Sequence, residues 1–227
     1  MVENIFKGGG ASTSYDFFDI AAGTGIQSYY GGIHAYRDAT GIISGAILAD
    51  NTFYSNEIVR THEKAVTPTA GLIQSLVLDL LFNTTRNVNG NILVQVPIGF
   101  IHPTGGANNF TFAALKIDKI SSTGTTTFIQ SGNTMLVGSA GTGAGTAYAQ
   151  CMAMSFTVSG MIFNRSERLR LTVDQYVQGG GVGASTVYYG IGCDPMNRND
   201  TATNKPIPDT MDTQLVVQVP FKLDVEI

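Results

Sequence analysis

A chain of 227 residues in which Asp, Glu, Lys and Arg make up 13%, about half the usual share of roughly 25%, is not a disordered polyelectrolyte, because 43% of it is hydrophobic. A net charge of −4 without a compensating Lys/Arg cluster excludes a nucleic-acid binder that works by phosphate neutralisation. No window reaches ~18 consecutive apolar residues, and "MVENIFKGGG" has neither a basic n-region nor an apolar h-region, so neither a membrane helix nor a secretory signal is expected.

Residues 1–70 open on the flexible "FKGGGAS" and continue with "YDFFDI", "QSYYGGIHA" and "YSNEIVRTH". These read as short strands broken by Gly-rich turns. Their apolar faces are too scattered for a separate core, so the segment is expected to add strands to the main domain or to form an arm on a neighbour.

From residue 71 the apolar pattern has period two, the signature of half-buried strands. Strands are expected at about 75–83, 91–101, 110–120, 126–137, 148–163, 168–178, 185–192 and 214–226. Leu76, Leu78, Leu80 and Phe82 share one face, as do Ile92, Val94, Val96, Ile98 and Phe100. Asn89-Gly90 between two runs predicts a hairpin. Met152, Met154, Phe156 and Val158 alternate with Ala153, Ser155, Thr157 and Ser159, and the phase slips near Gly160 to Met161 and Phe163, as at a bulge. In the last strand Leu215, Val217, Val219, Phe221, Leu223, Val225 and Ile227 form one face; Pro220 on the other predicts an edge strand or a bulge. Eight strands without a helix imply an all-β fold, an eight-stranded jelly-roll-like β-sandwich over 71–227 with an extended N-terminal segment of short strands over 1–70.

Charge is unevenly placed. Between Arg86 and Arg165 the charged residues are Lys116, Asp118 and Lys119, and "GTTTFIQSGNTMLVGSAGTGAGTAYAQCMAMSFTVSGMIF", Gly124–Phe163, has none. Its strands carry a second face of small uncharged residues, which can lie against another sheet or subunit without desolvating an ion. That is a prediction of contact.

No catalytic, cofactor-binding or metal-ligating residue emerges. His34, His62 and His102 lie far apart without metal-motif spacing. The Gly-rich stretches 138–147 and 178–185 match no phosphate-binding motif, and no helix follows them. There is no G-x-S-x-G elbow, so no enzyme is expected. Asp194, Asn197, Asn199 and Asp200 offer oxygens that suit Ca²⁺, but in ordinary turn chemistry and without an EF-hand pattern. Arg165, Arg168 and Arg170 around Glu167 read as a turn and a charged strand face. Cys151 and Cys193 are expected to be buried free thiols. The N-x-[ST] triplets at Asn83, Asn109, Asn164 and Asn199 mean nothing without a secretory signal.

The phrases "DFFDIAAGTGIQSYYGG", "YSNEIVRT", "RLRLTV", "YYGIGCDPMNRND" and "DTQLVVQVPFKL" resemble jelly-roll structural proteins of tailed-phage and related virions. The resemblance implies a virion location and a head decoration (cement) or minor capsid role. It also implies self-association, as a homotrimer or higher symmetric assembly, and contact with other capsid proteins, with no cofactor, nucleic acid or membrane. The alternative is a carbohydrate- or receptor-binding jelly roll of a tail or fibre, for which Tyr29, Tyr30, Tyr188 and Tyr189 are the candidate platform.

Overall fold

In the computed structural model, the structure describes residues 13–14, 24–38, 41–65, 70–103, 109–139, 144–179 and 186–222. It is all-β. The strands are β1 (Thr13–Ser14), β2 (Thr24–Asp38), β3 (Gly41–Ala49), β4 (Val59–Ala65), β5 (Gly71–Leu81), β6 (Arg86–Ile101), β7 (Asn109–Ile120), β8 (Thr126–Asn133), β9 (Val137–Ser139), β10 (Ala147–Phe163), β11 (Arg168–Gly179), β12 (Thr186–Gly192) and β13 (Leu215–Lys222). All eight strands expected from residue 71 onward are present, with 126–137 divided into β8 and β9. "YDFFDI", Leu223, Val225 and Ile227 lie outside the described residues.

Hydrogen bonding runs through β4-β12-β6-β13-β2-β3-β5-β11-β7-β8, with β10 on the other edge of β6. The path folds over on itself into a sandwich. One layer is β10-β6-β13-β2-β3; the other is β5-β11-β7 with β8 and β9. Their inward side chains form one core, which includes Ile33, Leu78, Val94, Ile117, Phe156, Leu171 and Val217. Period-two patterning dictates this: each residue of Ile92, Val94, Val96 and Ile98 is 0% exposed, at about 1.5–3 kcal/mol of burial per large aliphatic side chain. The layers meet along two seams. At one, β3 and β5 share a single parallel bridge, Ile47 to Asp79. At the other, the Thr157 amide of β10 donates to Gln130 Oε1 of β8 at 2.9 Å.

Three sequence irregularities coincide. β10 slips against β6 between Val158 and Met161, as expected, and Gly160 has a φ of 58°. The register of β13 against β6 shifts between Gln218 and Phe221, around Pro220. β13 is therefore not an edge strand: it lies between β6 and β2, and proline's missing donor is absorbed by a bulge. Gly90 (φ 123°) sits in β6 between the two slips. The hairpin expected at Asn89-Gly90 is thus corrected: the pair lies within β6, and Asn89 Oδ1 accepts from the Gly160 amide at 3.0 Å. Positive φ served a double bulge instead of a turn.

Of residues 1–70, β2 runs fifteen residues and with β3 lies between β13 and β5, giving Tyr29, Ile33 and Leu48 to the core. A second cluster of Ile73, Phe100, Val177, Val187 and Tyr189 fills the end where β12 and β4 extend the sheet. Cys193 is buried, and its Sγ donates to the Glu57 carbonyl at 3.2 Å; burial, with Glu57 adding, pushes the thiol up to about 12. Cys151 departs from expectation: it is exposed, because it alternates outward on β10.

Segment 193–214 crosses the outside of β6 and β12 at glycines. A methyl on Gly99 would run into the carbonyl oxygens of Pro206 and Tyr148, groups that cannot rotate away. Gly99→Ala is expected to cost about 1–3 kcal/mol, read as a Tm lower by roughly 2–4 °C for each kcal/mol.

Candidate functional site

The two outer faces of the sandwich differ in kind. On the β10-β6-β13-β2-β3 layer the registers align cross-strand rows. Ala153 lies beside Gln95, which lies beside Val216, then Tyr30 and Ala49. The next row holds Ser155, Leu93, Gln218 and Ser28, and beyond it come Thr157, Asn91 and Ile26. Cys151, Ala153, Ser155, Thr157 and Ser159 are exposed along β10. None of these side chains is charged; Lys222, at the end of β13, marks one margin, and Asp212, whose charge reaches the Cys151 thiol, marks another. Phe53 over Gly32 and Pro206 over Gly99 bound the face toward the loop end. The open part spans about 19 Å from the first strand to the fifth, at roughly 4.8 Å per spacing.

The outer face of the other layer is ionic. Arg170 makes a two-pronged bond to Asp79, Nε to Oδ1 at 2.6 Å and Nη2 to Oδ2 at 2.7 Å, and Arg168 adds a contact at 3.4 Å. Lys116 pairs with the buried Asp118 at 2.9 Å. The expected charged strand face is thus present on β11, while Glu167 turns to Lys119 at 2.7 Å. All three charges in the Arg86–Arg165 interval lie on β7.

For Asp79, burial alone would raise the carboxyl, but the bonds from Arg170 and Arg168 outweigh it and hold the group below its usual value. A depressed folded pKa stabilises above the unfolded value of about 3.9, and that stabilisation is lost as pH falls through the folded pKa. Arg170→Met is therefore expected to be less stable than wild type at neutral pH, with the gap closing in acid. Urea unfolding from neutral pH down to about pH 3 checks this; a pH-independent gap refutes it.

The other sequence candidates do not converge. Asp194 is 0% exposed; its carboxylate accepts from the Met196 and Arg198 amides and from Arg198 Nε at 2.8 Å. Arg198 in turn donates to the Ser55 carbonyl and stacks over Tyr54. Asn197 Oδ1 accepts from both the amide and hydroxyl of Thr213, and Asp200 from the Ala202 amide. These oxygens clasp the segment instead of facing one point. His34 and His62 are exposed on β2 and β4, whereas His102 is 1% exposed at the end of β6. Tyr29 and Tyr30 point to opposite faces of β2. Tyr189 is buried in the second cluster, where burial raises its phenol pKa, while Tyr188 faces outward. The four tyrosines form no shared platform. Residues 140–143 and 180–185 of the glycine-rich stretches lie outside the described residues.

One concave site is present that the sequence did not flag. Past the Ile47–Asp79 bridge the two layers part, leaving a cleft of about 370 Å³ lined from β2, β3, β5 and the start of β6.

No protein-family model matches the chain, and no curated protein does. Solved structures similar to it include a CocE/NonD family hydrolase from Staphylococcus aureus, at 11% identity and a TM-score of 0.42, covering 85% of this chain and 36% of that one. An aminopeptidase from a Thaumarchaeota archaeon matches at 6% identity and a TM-score of 0.45, covering 86% and 37%. The structure of the Gt strain of infectious bursal disease virus matches at 12% identity and a TM-score of 0.27, covering 88% and 44%. The chain spans little more than a third of the hydrolase and aminopeptidase chains it matches. These matches overturn the expectation that the chain is not an enzyme, since hydrolases stand first among its neighbours. The physical reason is that catalytic groups converge from distant positions, so a missing local motif is a weak ground for excluding catalysis.

Proposed function

We propose that this chain is a structural subunit of a virion, a head decoration or minor capsid protein, which assembles with copies of itself and stabilises a shell through contacts of its β-sandwich. The observation that carries this reading is the outer face of β10-β6-β13-β2-β3, where the described side chains of the rows through Ala153, Ser155 and Thr157 carry no charge. Surfaces that stay in water are normally studded with both signs of charge, and the opposite face of this sandwich is so equipped. Rows whose described side chains lack ions can be covered by another sheet at no cost in desolvated charge. Symmetric self-association is the commonest way to cover such a face, and a trimer is the form proposed here.

Sedimentation velocity over a wide concentration series tests the reading. A discrete oligomer, trimeric or a higher multiple, is expected at micromolar protein. A single monomeric species up to the highest concentration reached would remove the basis for the proposal.

A further inference from the structure

The seam cleft holds polar groups that the fold does not use. Gln27 and Tyr29, two residues apart on the inward side of β2, line it and are each 8% exposed. Neither the Gln27 amide nor the Tyr29 hydroxyl has a hydrogen-bond partner among the described residues. Neither group is among the buried polar atoms that lack a partner, so both polar ends reach the water that fills the cleft. Two such groups in one cleft can hydrogen-bond a ligand that takes the place of that water.

Charge at the rim narrows the chemistry. Arg86 lies over the Phe221 ring, its guanidinium carbon 5.4 Å from the centroid, and forms no ion pair with a carboxylate among the described residues. Asp50, also lining the cleft, has no cationic partner among them either. Both act on the same hydroxyl: burial pushes Tyr29 up to about 12, Arg86 pulls it down and Asp50 pushes it further up. The phenol is therefore a neutral donor and acceptor set between one free cation and one free anion. The apolar wall is Leu48, Leu80 and Phe82.

We propose that this cleft binds a small zwitterion, an amino acid or short peptide with both termini free. Its carboxylate faces Arg86 and its ammonium faces Asp50, while Tyr29 and Gln27 supply hydrogen bonds between them. A net anion would meet Asp50 and a net cation Arg86, so opposite charges on one molecule fit where either alone does not. A sugar is disfavoured because the Tyr29 ring is too buried to serve as a stacking face. The volume suits a residue or a few, at the small end of ligand pockets.

Saturation-transfer NMR on the full chain tests this with a free dipeptide such as Gly-Leu, its N-acetyl and C-amide forms, and a neutral disaccharide. The free dipeptide is expected to bind in the millimolar range, and blocking either terminus to weaken it by roughly 10-fold, equivalent to about 1.4 kcal/mol. In Arg86→Gln the free and amidated dipeptides should bind alike, and in Tyr29→Phe binding should weaken several-fold. Arg86 is exposed, so its replacement leaves the core intact. Absence of saturable transfer from the free dipeptide overturns the proposal, as does equal binding of the disaccharide or indifference to Arg86→Gln. Ala49 lines the cleft and also ends one row of the uncharged face, so sedimentation velocity run beside the titration shows whether binding and assembly are linked and keeps the two readings distinguishable.

Discussion

Ser155→Arg is expected to turn the assembled protein into a monomer without unfolding it. Ser155 is exposed in the middle of β10, opposite Leu93 of β6, and makes no hydrogen bond among the described residues. An arginine there stays solvated in the free subunit, so far-UV circular dichroism and Tm should remain near wild type. In the assembly the guanidinium would be sealed against uncharged side chains, since its neighbours Leu93, Ala153 and Thr157 offer no carboxylate. The cost of an unpaired buried charge, after relaxation, is several kcal/mol. At 1.4 kcal/mol for each factor of ten, even about 3 kcal/mol weakens association more than 100-fold. Thr201→Arg, on an exposed loop position, is the control and should assemble normally. Sedimentation velocity reads both. If Ser155→Arg assembles like wild type while the control also does, this face is not the contact.

The charge void itself was plain in the sequence, and so was the small-residue side of β10. Its meaning was not, because one strand does not define a face. The face exists since β6, β13, β2 and β3 bring Gln95, Val216, Tyr30 and Ala49 into line with Ala153, and two of those registers, Gln95 to Val216 and Val216 to Tyr30, join residues more than a hundred positions apart. Strand positions were legible for the reason that burial on one side imposes period two. Pairing was not, as Asn89-Gly90 shows: the dipeptide signals positive φ, which a hairpin and a bulge satisfy equally well, and Gly160 and Pro220 on the neighbouring strands decided for the bulge. Pro220 gave two readings, and the central place of β13 chose the bulge over the edge.

The cleft was invisible at the sequence level. Gln27 and Tyr29 sit at alternate positions of an ordinary strand, and Asp50 and Arg86 are single charges near strand ends. Only the parting of β3 and β5 after one bridge joins them. The Asp194–Asp200 stretch shows the converse. Its oxygens looked like ligands because they were dense in sequence, yet Arg198 and backbone amides consume them locally. Density of oxygen donors does not indicate a metal site where a cation from the same loop is within reach.

The second large effect belongs to Gln175, fully buried on β11 at 0% exposure. Its Oε1 accepts from Gln74 Nε2 at 2.6 Å, while its Nε2 donates to Thr111 Oγ1 at 3.0 Å and to the Gly190 carbonyl at 3.3 Å. Gln74 also donates to the Arg60 carbonyl. The two amides thus tie β5, β7, β11, β12 and β4 together between the main core and the second cluster. Gln175→Leu leaves the Gln74 amide short of an acceptor and is expected to cost about 1–3 kcal/mol. Gln175→Glu should cost more at neutral pH, because it aims a carboxylate at the Gly190 carbonyl inside the core. Burial raises the folded pKa of that glutamate above its unfolded value of about 4.3, so the folded state binds the extra proton and stability falls as pH rises between the two. The glutamate variant should therefore regain stability in acid relative to Gln175→Leu. The double variant Gln74→Leu/Gln175→Leu removes donor and acceptor together and should lose less than the sum of the single changes. Urea unfolding of the four proteins across pH decides it: additive losses with no acid recovery in the glutamate variant would mean that shape, not hydrogen bonding, sets the requirement at this position.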